Sequence, residues 1–490
     1  MIKMSTGYGI LTPFVKQCFV TSGVTINLAG HGVANGFMAG LLPQLRKPGS
    51  EIPINDESGS WIVSVAGFAF VVGNFVIPFV MGKYGRRTGN MVALVPMIIG
   101  WIFIALATNI TMLILARLLH GLSIGMGTTL GPILIAEYTS PKKRGAFLTL
   151  ISLMMSIGVL VAHTLGAYIH WQTTAVICVF ITLANFVIVL LSPESPSWLA
   201  DKGKIDESVK VFRWLRGNDE EDELKGIIEA SSDRDENIQV KPSVSAMKMF
   251  KEKWEYIKAM TKRKEFYKPI IIMIHIYILS QWAGVNILIT YTVDLIDSLL
   301  GKEVDSALIT ISVDIQRCIS NLLGVYVIKK TRRRTMLMVV GLLAIFAILM
   351  TAFYSYLKEE NLLPFDHYMI GIILLHVHMM SVGLGTLTFS YIISGELFPM
   401  RFRSVAGGIS VIFHSVGYVI ITKTFPFLFK SIGLAGTYLL YAAITSYSLA
   451  ISWWLLPETK DRTLREIEEE FSSTSHNVRL FELQPMKSEM

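Results

Sequence analysis

The chain has 490 residues, 52% hydrophobic and 17% charged, with a mean hydropathy of +0.52 and a formal charge of +7. Soluble globular chains carry about 25% charged residues, so this one has too little polar surface to dissolve. Its basic residues sit in short clusters between long apolar runs, which excludes nucleic acid as a partner and fits loops beside a membrane.

Twelve apolar runs have the length of bilayer-crossing helices, at about residues 17–42, 61–82, 89–107, 112–136, 146–168, 174–192, 269–296, 305–328, 335–357, 367–395, 404–428 and 432–456. They predict an all-α membrane protein with an N-terminal six-helix bundle over 1–192 and a C-terminal one over 269–456. A polar linker over 193–268 joins the bundles, and a tail follows from 457 to 490. No small-residue cleavage site follows the first run, so it reads as a retained anchor. In the linker Ile205, Val209, Phe212 and Leu215 recur at helical spacing among charges, as do hydrophobes between Ser243 and Lys258. Short amphipathic helices under the bundle and a solvated linker with a few hydrophobes both fit that pattern.

Orientation follows from the basic clusters. Lys83/Arg86/Arg87, Lys142/Lys143/Arg144, Lys329/Lys330/Arg332/Arg333/Arg334 and Arg401/Arg403 occupy every second loop, while Glu51/Asp56/Glu57 and Glu359/Glu360 mark alternate ones. The positive-inside bias places both termini and the linker in the cytoplasm, with a plasma-membrane location expected. The sequon at Asn109 falls on the outer side, in a loop too close to the membrane to be used. Cys18, Cys178 and Cys318 lie inside apolar runs without CxxC spacing, so neither a disulfide framework nor a zinc site is indicated.

The halves repeat one another. Glu137 precedes Arg144 by seven residues and Glu396 precedes Arg403 by seven, at the same offset of 396 − 137 = 403 − 144 = 259. Gly85-Arg86-Arg87-Thr88 after the second run matches Arg332-Arg333-Arg334-Thr335 after the eighth, and Pro193-Glu194-Ser195 matches Pro457-Glu458-Thr459. Three motifs in register imply two bundles related by an axis along the membrane normal, the arrangement of major facilitator transporters. Arg86, Arg87, Glu137, Arg144, Glu194, Arg333, Arg334, Glu396, Arg403 and Glu458 can form charge-assisted pairs. Those pairs are expected to hold the inner ends of the two bundles together as a cytoplasmic gate. The positive-inside bias alone would explain the arginines but not the four repeating glutamates.

At these motifs, with Arg117-Leu118-Leu119-His120-Gly121, Pro193-Glu194-Ser195-Pro196-Ser197-Trp198, Ala283-Gly284-Val285-Asn286, Gly395-Glu396-Leu397-Phe398-Pro399 and Pro457-Glu458-Thr459-Lys460, the chain resembles sugar porters of the major facilitator superfamily. Within them it is similar to the insect facilitated trehalose and glucose transporters. The resemblance covers about residues 30–471. It implies facilitated transport of trehalose or a hexose by alternating access, with no cofactor, a sugar and the lipid bilayer as partners, and an oligomeric state left open. In that family amides of the seventh span bind sugar, and Gln281 and Asn286 match two of them. Amides both donate and accept toward hydroxyls, although a lone intramembrane amide also serves as helix–helix glue. Tyr291 fits either an outer gate or packing. The chain departs from the family at Ser152, where Gln is usual, and at Thr388-Phe389-Ser390-Tyr391, where the tenth span usually has a Pro-x-Pro-Trp break. It departs again at His414-Ser415, where Asn-Trp is usual, and at Arg317, where a small amide is usual. Lys329 and Arg332 replace the acid and glycine of the second basic motif. Ser152, Arg317, Tyr391 and His414 therefore stand at expected pocket positions with altered chemistry, and two alternatives follow for the second half: a pocket of different specificity, or a tenth helix that bends less readily.

Proton-coupled members pair a first-span Asp with the fourth-span Arg. Here no acidic residue precedes Glu51, and Met38 takes the place of that Asp beside Arg117. Uniport is the expectation. Asp314 and Arg317, one helical turn apart in the eighth span, fit a self-neutralising pair or a coupling site. His31, His120, His163, His275, His376, His378 and His414 within the spans leave packing roles and a proton path open. His376 and His378 point to different faces, unlike a metal pair, and no phosphate loop or nucleophile elbow occurs, so neither a metal site nor an enzyme is indicated. The alternative functions are a proton-coupled sugar symporter, a non-transporting sugar sensor, and a facilitator of a charged or non-sugar solute.

Overall fold

The computed structural model describes residues 12–218, 220–238, 263–301, 304–363, 367–398, 403–460, 462 and 464–472. The first half comprises α1 (Pro13–Arg46), α2 (Asp56–Tyr84), α3 (Arg86–Ala105), α4 (Ile110–Tyr138), α5 (Pro141–Tyr168) and α6 (Trp171–Leu191). Three short helices follow: α7 (Pro196–Asp201), α8 (Ile205–Arg216) and α9 (Glu221–Ile238). The second half contains α10 (Lys264–Trp282), α11 (Val285–Thr290), α12 (Thr292–Leu300), α13 (Ser306–Lys330), α14 (Arg333–Glu359) and α15 (Tyr368–Ser381). A π-helical turn (Val382–Thr386), α16 (Leu387–Leu397), α17 (Arg403–Leu455) and α18 (Leu464–Ser472) complete it.

Ten helical stretches among the described residues are long and apolar enough to cross a membrane. α17 counts twice, because its 53 residues turn at Gly433 (φ 69°, ψ 179°). α1, which buries Gln17, Thr21, Thr25, Asn27 and His31, makes twelve. The all-α fold of twelve spans thus agrees with the sequence reading.

Two spans are broken. The seventh divides into α10, α11 and α12 at Gly284, whose left-handed backbone (φ 88°) suits glycine. The tenth lacks the prolines usual in the family it resembles, yet it too is interrupted. Its backbone leaves the helix at Gly385 (φ 164°, ψ −1°), inside the π-helical turn. A π-helical turn supplies the interruption that prolines supply elsewhere.

Gly32, Gly36 and Gly40 of α1 lie directly on the α5 backbone at Met155, Val159 and Gly166. Removing side chains at every fourth position lets the two helices touch, the usual solution where lipid offers no hydrophobic drive to association. The linker begins as helices: α8 buries Phe212 and Leu215, and Gln17 Nε2 donates to Leu215 O at 3.1 Å. The hydrophobes between Ser243 and Lys258 lie outside the described residues.

The cores show how the halves meet. One cluster mixes both, from Phe37, Trp101 and Trp171 to Tyr291, Phe425 and Tyr438. Two others belong to one half each, around Leu130 and Leu134 in the first and around Met273 and Leu397 in the second. The single-half clusters lie at the end that carries the arginine motifs, called the basic end below. The shared cluster lies at the opposite end, so the halves are fused there.

Candidate transport path and gates

Between the halves is a cavity of about 70 Å³. The first half lines it with Asn35, Phe70, Thr128 and Met155, and the second with Asn286, His414, Ser415 and Tyr418, among others. Among the described residues, none that lines it is Asp, Glu, Lys or Arg. Small-molecule sites usually exceed about 300 Å³, so the two halves stand close together at this seam. Asn286 Nδ2 donates to Gln281 Oε1 at 2.5 Å, and Gln281 Nε2 donates to His414 O at 3.4 Å. The break at Gly284 lies between the two amides and lets the backbone approach the His378 ring.

Of the sequence-chosen pocket residues, the structure joins Asn286, Gln281 and His414. Ser152 donates to Thr149 O of its own helix and does not line the cavity. Arg317 lies on the α5–α13 seam, away from it. The Tyr391 side chain lies outside the described residues. Tyr291 is 1% exposed, donates to Thr422 O at 3.0 Å and packs on Phe425 with ring centroids 4.9 Å apart. Sequence reasoning missed Asn35, Thr128 and Tyr418, whose only signal was a polar atom in an apolar run.

At the non-basic end, contacts cross between the halves. Arg46 Nη1 meets Asp294 Oδ1 at 2.9 Å. Lys423 Nζ donates to Ser60 Oγ at 2.9 Å and stands 4.1 Å from the Trp61 ring centre. Lys430 meets Asp56 at 3.3 Å. Deeper, Asn321 Nδ2 donates to Ser156 Oγ at 2.6 Å, and Arg317 Nη2 donates to Ser156 O at 3.3 Å.

At the basic end, the charge motifs pair differently from expectation. Arg86 Nη2 meets Glu137 Oε1 at 3.1 Å, and Ser195 Oγ also donates to Glu137. The second half repeats this: Arg333 Nη2 meets Glu396 Oε1 at 2.8 Å, and Thr459 Oγ1 donates to Glu396 Oε2 at 2.6 Å. Glu194 accepts from Arg86 N at 2.8 Å and Arg87 N at 3.0 Å, as Glu458 does from Arg333 N at 2.8 Å and Arg334 N at 3.3 Å. Arg334 Nη2 donates to Trp453 O. Arg144 turns to Glu223 of the linker at 3.1 Å, and the Arg403 side chain lies outside the described residues. All these described pairs form inside one half or between it and the linker, so none ties the bundles together in this state. Burial pushes the Glu194 carboxyl above its ordinary range against the opposing backbone N–H groups. Burial acts on Glu458 in the same sense, but the N–H groups of Lys460, Arg333 and Arg334 outweigh it and hold that carboxyl below the ordinary range.

Two buried cations lie within the spans. Arg117 Nη1 donates to Ala34 O at 2.7 Å and Nε donates to Ile62 O at 3.3 Å, with Tyr418 of the other half against it. Helix carbonyls thus stand where an acid was missing, and Met38 is fully buried. Arg317 meets Asp314 at 3.0 Å, the expected one-turn pair. The sequence did not reveal the third member: His163 Nδ1 lies 2.6 Å from Asp314 Oδ2, across the seam. No group of three or more metal-binding side chains occurs among the described residues.

The sugar (and other) transporter family profile matches residues 30–471. The facilitated trehalose transporter Tret1 of Bombyx mori is 26% identical over 471 residues, 96% of this chain and 89% of that protein. The Aedes aegypti protein of the same name is 26% identical over 419 residues, 85% of this chain but 50% of its own length. This chain therefore spans half of that relative. Among solved structures, the inward-open xylose transporter XylE of E. coli superposes with a TM-score of 0.71 at 18% identity, covering 94% of this chain and 100% of that one. The proton:xylose symporter XylE bound to 6-bromo-6-deoxy-D-glucose gives 0.70 at 16%, covering 94% and 100%. These two show the shared fold. With nine-tenths of its length inside the match, the chain belongs to the sugar (and other) transporter family, and it is a membrane transporter of the major facilitator fold rather than an enzyme.

Proposed function

We propose that this protein carries a neutral sugar, trehalose or a hexose, down its gradient by alternating access, with the basic end in the cytoplasm of a plasma-membrane carrier. The observation that carries the reading is the cavity at the seam. Both halves contribute neutral donors and acceptors to it, and among the described residues no Asp, Glu, Lys or Arg lines it. A polyhydroxylated neutral solute matches such a surface, since each hydroxyl both donates and accepts. A charged cargo would need a counter-charge there, and Arg317 faces elsewhere. The trehalose transporter names of the relatives support the sugar class.

Uniport is supported by α1, which holds no Asp or Glu, and by Arg117, which is held by carbonyls rather than a carboxylate. The segments 1–192 and 269–456 act as the two rocking bodies, with 193–268 as the cytoplasmic linker. The fused end is then the closed outer gate, and the one-half pairs at the other end belong to an opened inner gate.

Counterflow in proteoliposomes with trehalose, hexoses, pentoses and polyols tests the cargo, and an imposed pH gradient tests the mode. Exchange of none of these solutes would sink the sugar reading. Net uphill uptake driven by the pH gradient would sink uniport.

A further inference from the structure

The His163 ring bonds on both sides. Nε2 lies 2.9 Å from Ile289 O, a carbonyl that can only accept, so Nε2 carries a hydrogen. Nδ1 lies 2.6 Å from Asp314 Oδ2, and the other carboxylate oxygen, Oδ1, is taken by Arg317 Nη2 at 3.0 Å. A bare Nδ1 lone pair facing an ionised carboxylate at that distance would repel. The contact needs one further proton, either on Nδ1 as imidazolium or on Asp314 as an acid donating to Nδ1. Neither side chain is more than 1% exposed, so no water replaces that proton.

The bond also crosses the halves. His163 stands on α5 of the first half, while Asp314 stands on α13 and Ile289 on α11 of the second. Outward opening has to part α5 from α13 and break it. Asp314 then keeps its partner, because Arg317 is one turn away on the same helix. His163 alone is freed, and it is neutral once its proton leaves.

We propose that this is a proton-dependent latch of the outer gate: an external proton joins His163 to Asp314 and holds the carrier inward-facing, and losing it releases the halves. The step is simple protonation. A proton from external water binds Nδ1 when the halves are apart, and it returns there when they part again. The latch regulates the uniporter without itself requiring net proton transport.

Other titratable groups nearby leave that assignment to His163 and Asp314. On α13 these are Arg317 and Cys318, and on α12 Asp297 is bonded to Ser306 near the start of α13. On α15 His376 is occupied by Gln316 and Ser312. Beside His163, α1 meets α5 through Gly36 and Gly40, which lie on Val159, Ala162 and Gly166. α4 contributes Arg117, turned to α1 and α2, and His120, turned to Trp101 of α3; α6 contributes buried Cys178.

The test is external access to the central cavity, read without reference to cargo. A cysteine at Ala66→Cys, which lines the cavity, is labelled from outside with an impermeant maleimide. A second cysteine at Thr108→Cys, exposed in the α3–α4 loop, provides an always-open reference in the same molecule. The ratio of the two labelling rates cancels the intrinsic pH dependence of thiol alkylation. It is expected to rise several-fold as external pH is raised, because the contact needs a proton that an alkaline exterior withholds. With His163→Gln, whose amide donates to Asp314 without a titrating proton, the ratio is expected to stay flat. A flat ratio in the unsubstituted background, or an undiminished slope in His163→Gln, overturns the latch. If that variant does not reach the membrane, the slope of the parent decides alone. Proton-driven uphill uptake would sink uniport and leave this result standing.

Discussion

Glu194 accepts hydrogen bonds from the backbone nitrogens of Arg86 and Arg87 and so caps α3 from a loop 108 residues further along the chain. Its repeat partner Glu458 caps α14 in the same manner. A carboxylate at a helix N-terminus satisfies orphan N–H groups and meets the positive end of the helix dipole. The two caps differ in burial, and this gives them opposite pH behaviour. Glu194 is raised in the folded state, so its stabilising contribution is present at acid pH and falls as pH climbs through the raised value. Glu458 is lowered, so its contribution is present above the ordinary carboxyl range and is lost as pH falls through its folded value. Melting of the detergent-purified protein from about pH 4 to about pH 7 should show Glu458→Gln flattening the acid loss and Glu194→Gln steepening it. Identical shifts in both variants would contradict the assignment.

Gly85 sits between α2 and α3 with φ 107°, and a Cβ there would run into the Glu194 carboxylate. Gly85→Ala should therefore cost about 1–3 kcal/mol through strain and a displaced cap. Gly82→Ala, where a Cβ has open space, should sit within about 0.5 kcal/mol of the parent. Melting temperature and surface level read both.

Arg117 forks to two carbonyls on different helices, Ala34 O and Ile62 O. Lysine keeps the charge but cannot hold both with one planar group. Arg117→Lys should fold and reach the surface yet exchange sugar roughly tenfold more slowly, because α1 and α2 lose a shared tether. Unchanged exchange would make the arginine a mere filler of the core.

The outer pair Arg46–Asp294 is 28% exposed on each side, so its worth is modest, about 0.5–1 kcal/mol. Reversing either charge alone should raise external labelling of Ala66→Cys about two- to fivefold at low salt, and the double reversal should restore it. Raising salt should shrink the single-variant effect.

How far the sequence spoke depended on periodicity and repetition. Twelve spans, the duplicated charge motifs and the family were legible, because length, apolarity and a fixed offset are one-dimensional signals. The partner of each motif was not. Glu137 and Arg144 share a spacing with Glu396 and Arg403, but Glu137 bonds Arg86 and Ser195 while Arg144 turns to Glu223. Asp314 and Arg317 were legible as a pair because i and i+3 meet on any helix. His163 was not, because its partner lies 151 residues away on the other half. Contacts between helices are set by bundle geometry, and a polar residue in an apolar run announces only that some partner exists.

The Asn286–Gln281 pair separates binding from glue. Asn286 lines the cavity, while Gln281 stands behind it and accepts its Nδ2–H at 2.5 Å. If the amides serve cargo, Asn286→Ala removes a group that touches the sugar, and KM should rise about tenfold, roughly 1.4 kcal/mol, with little change in maximal rate. Gln281→Met acts mainly through Asn286, by freeing its rotamer, and at longer range through its bond to His414 O, and should raise KM less. Once Asn286 is gone, Gln281→Met should add little, so the double variant should fall short of the sum by about 1 kcal/mol. Helix glue predicts another pattern: lower melting temperature and maximal rate, an unchanged KM, and losses at the two sites that track stability. Counterflow kinetics beside thermal melts of the same preparations separate the two outcomes.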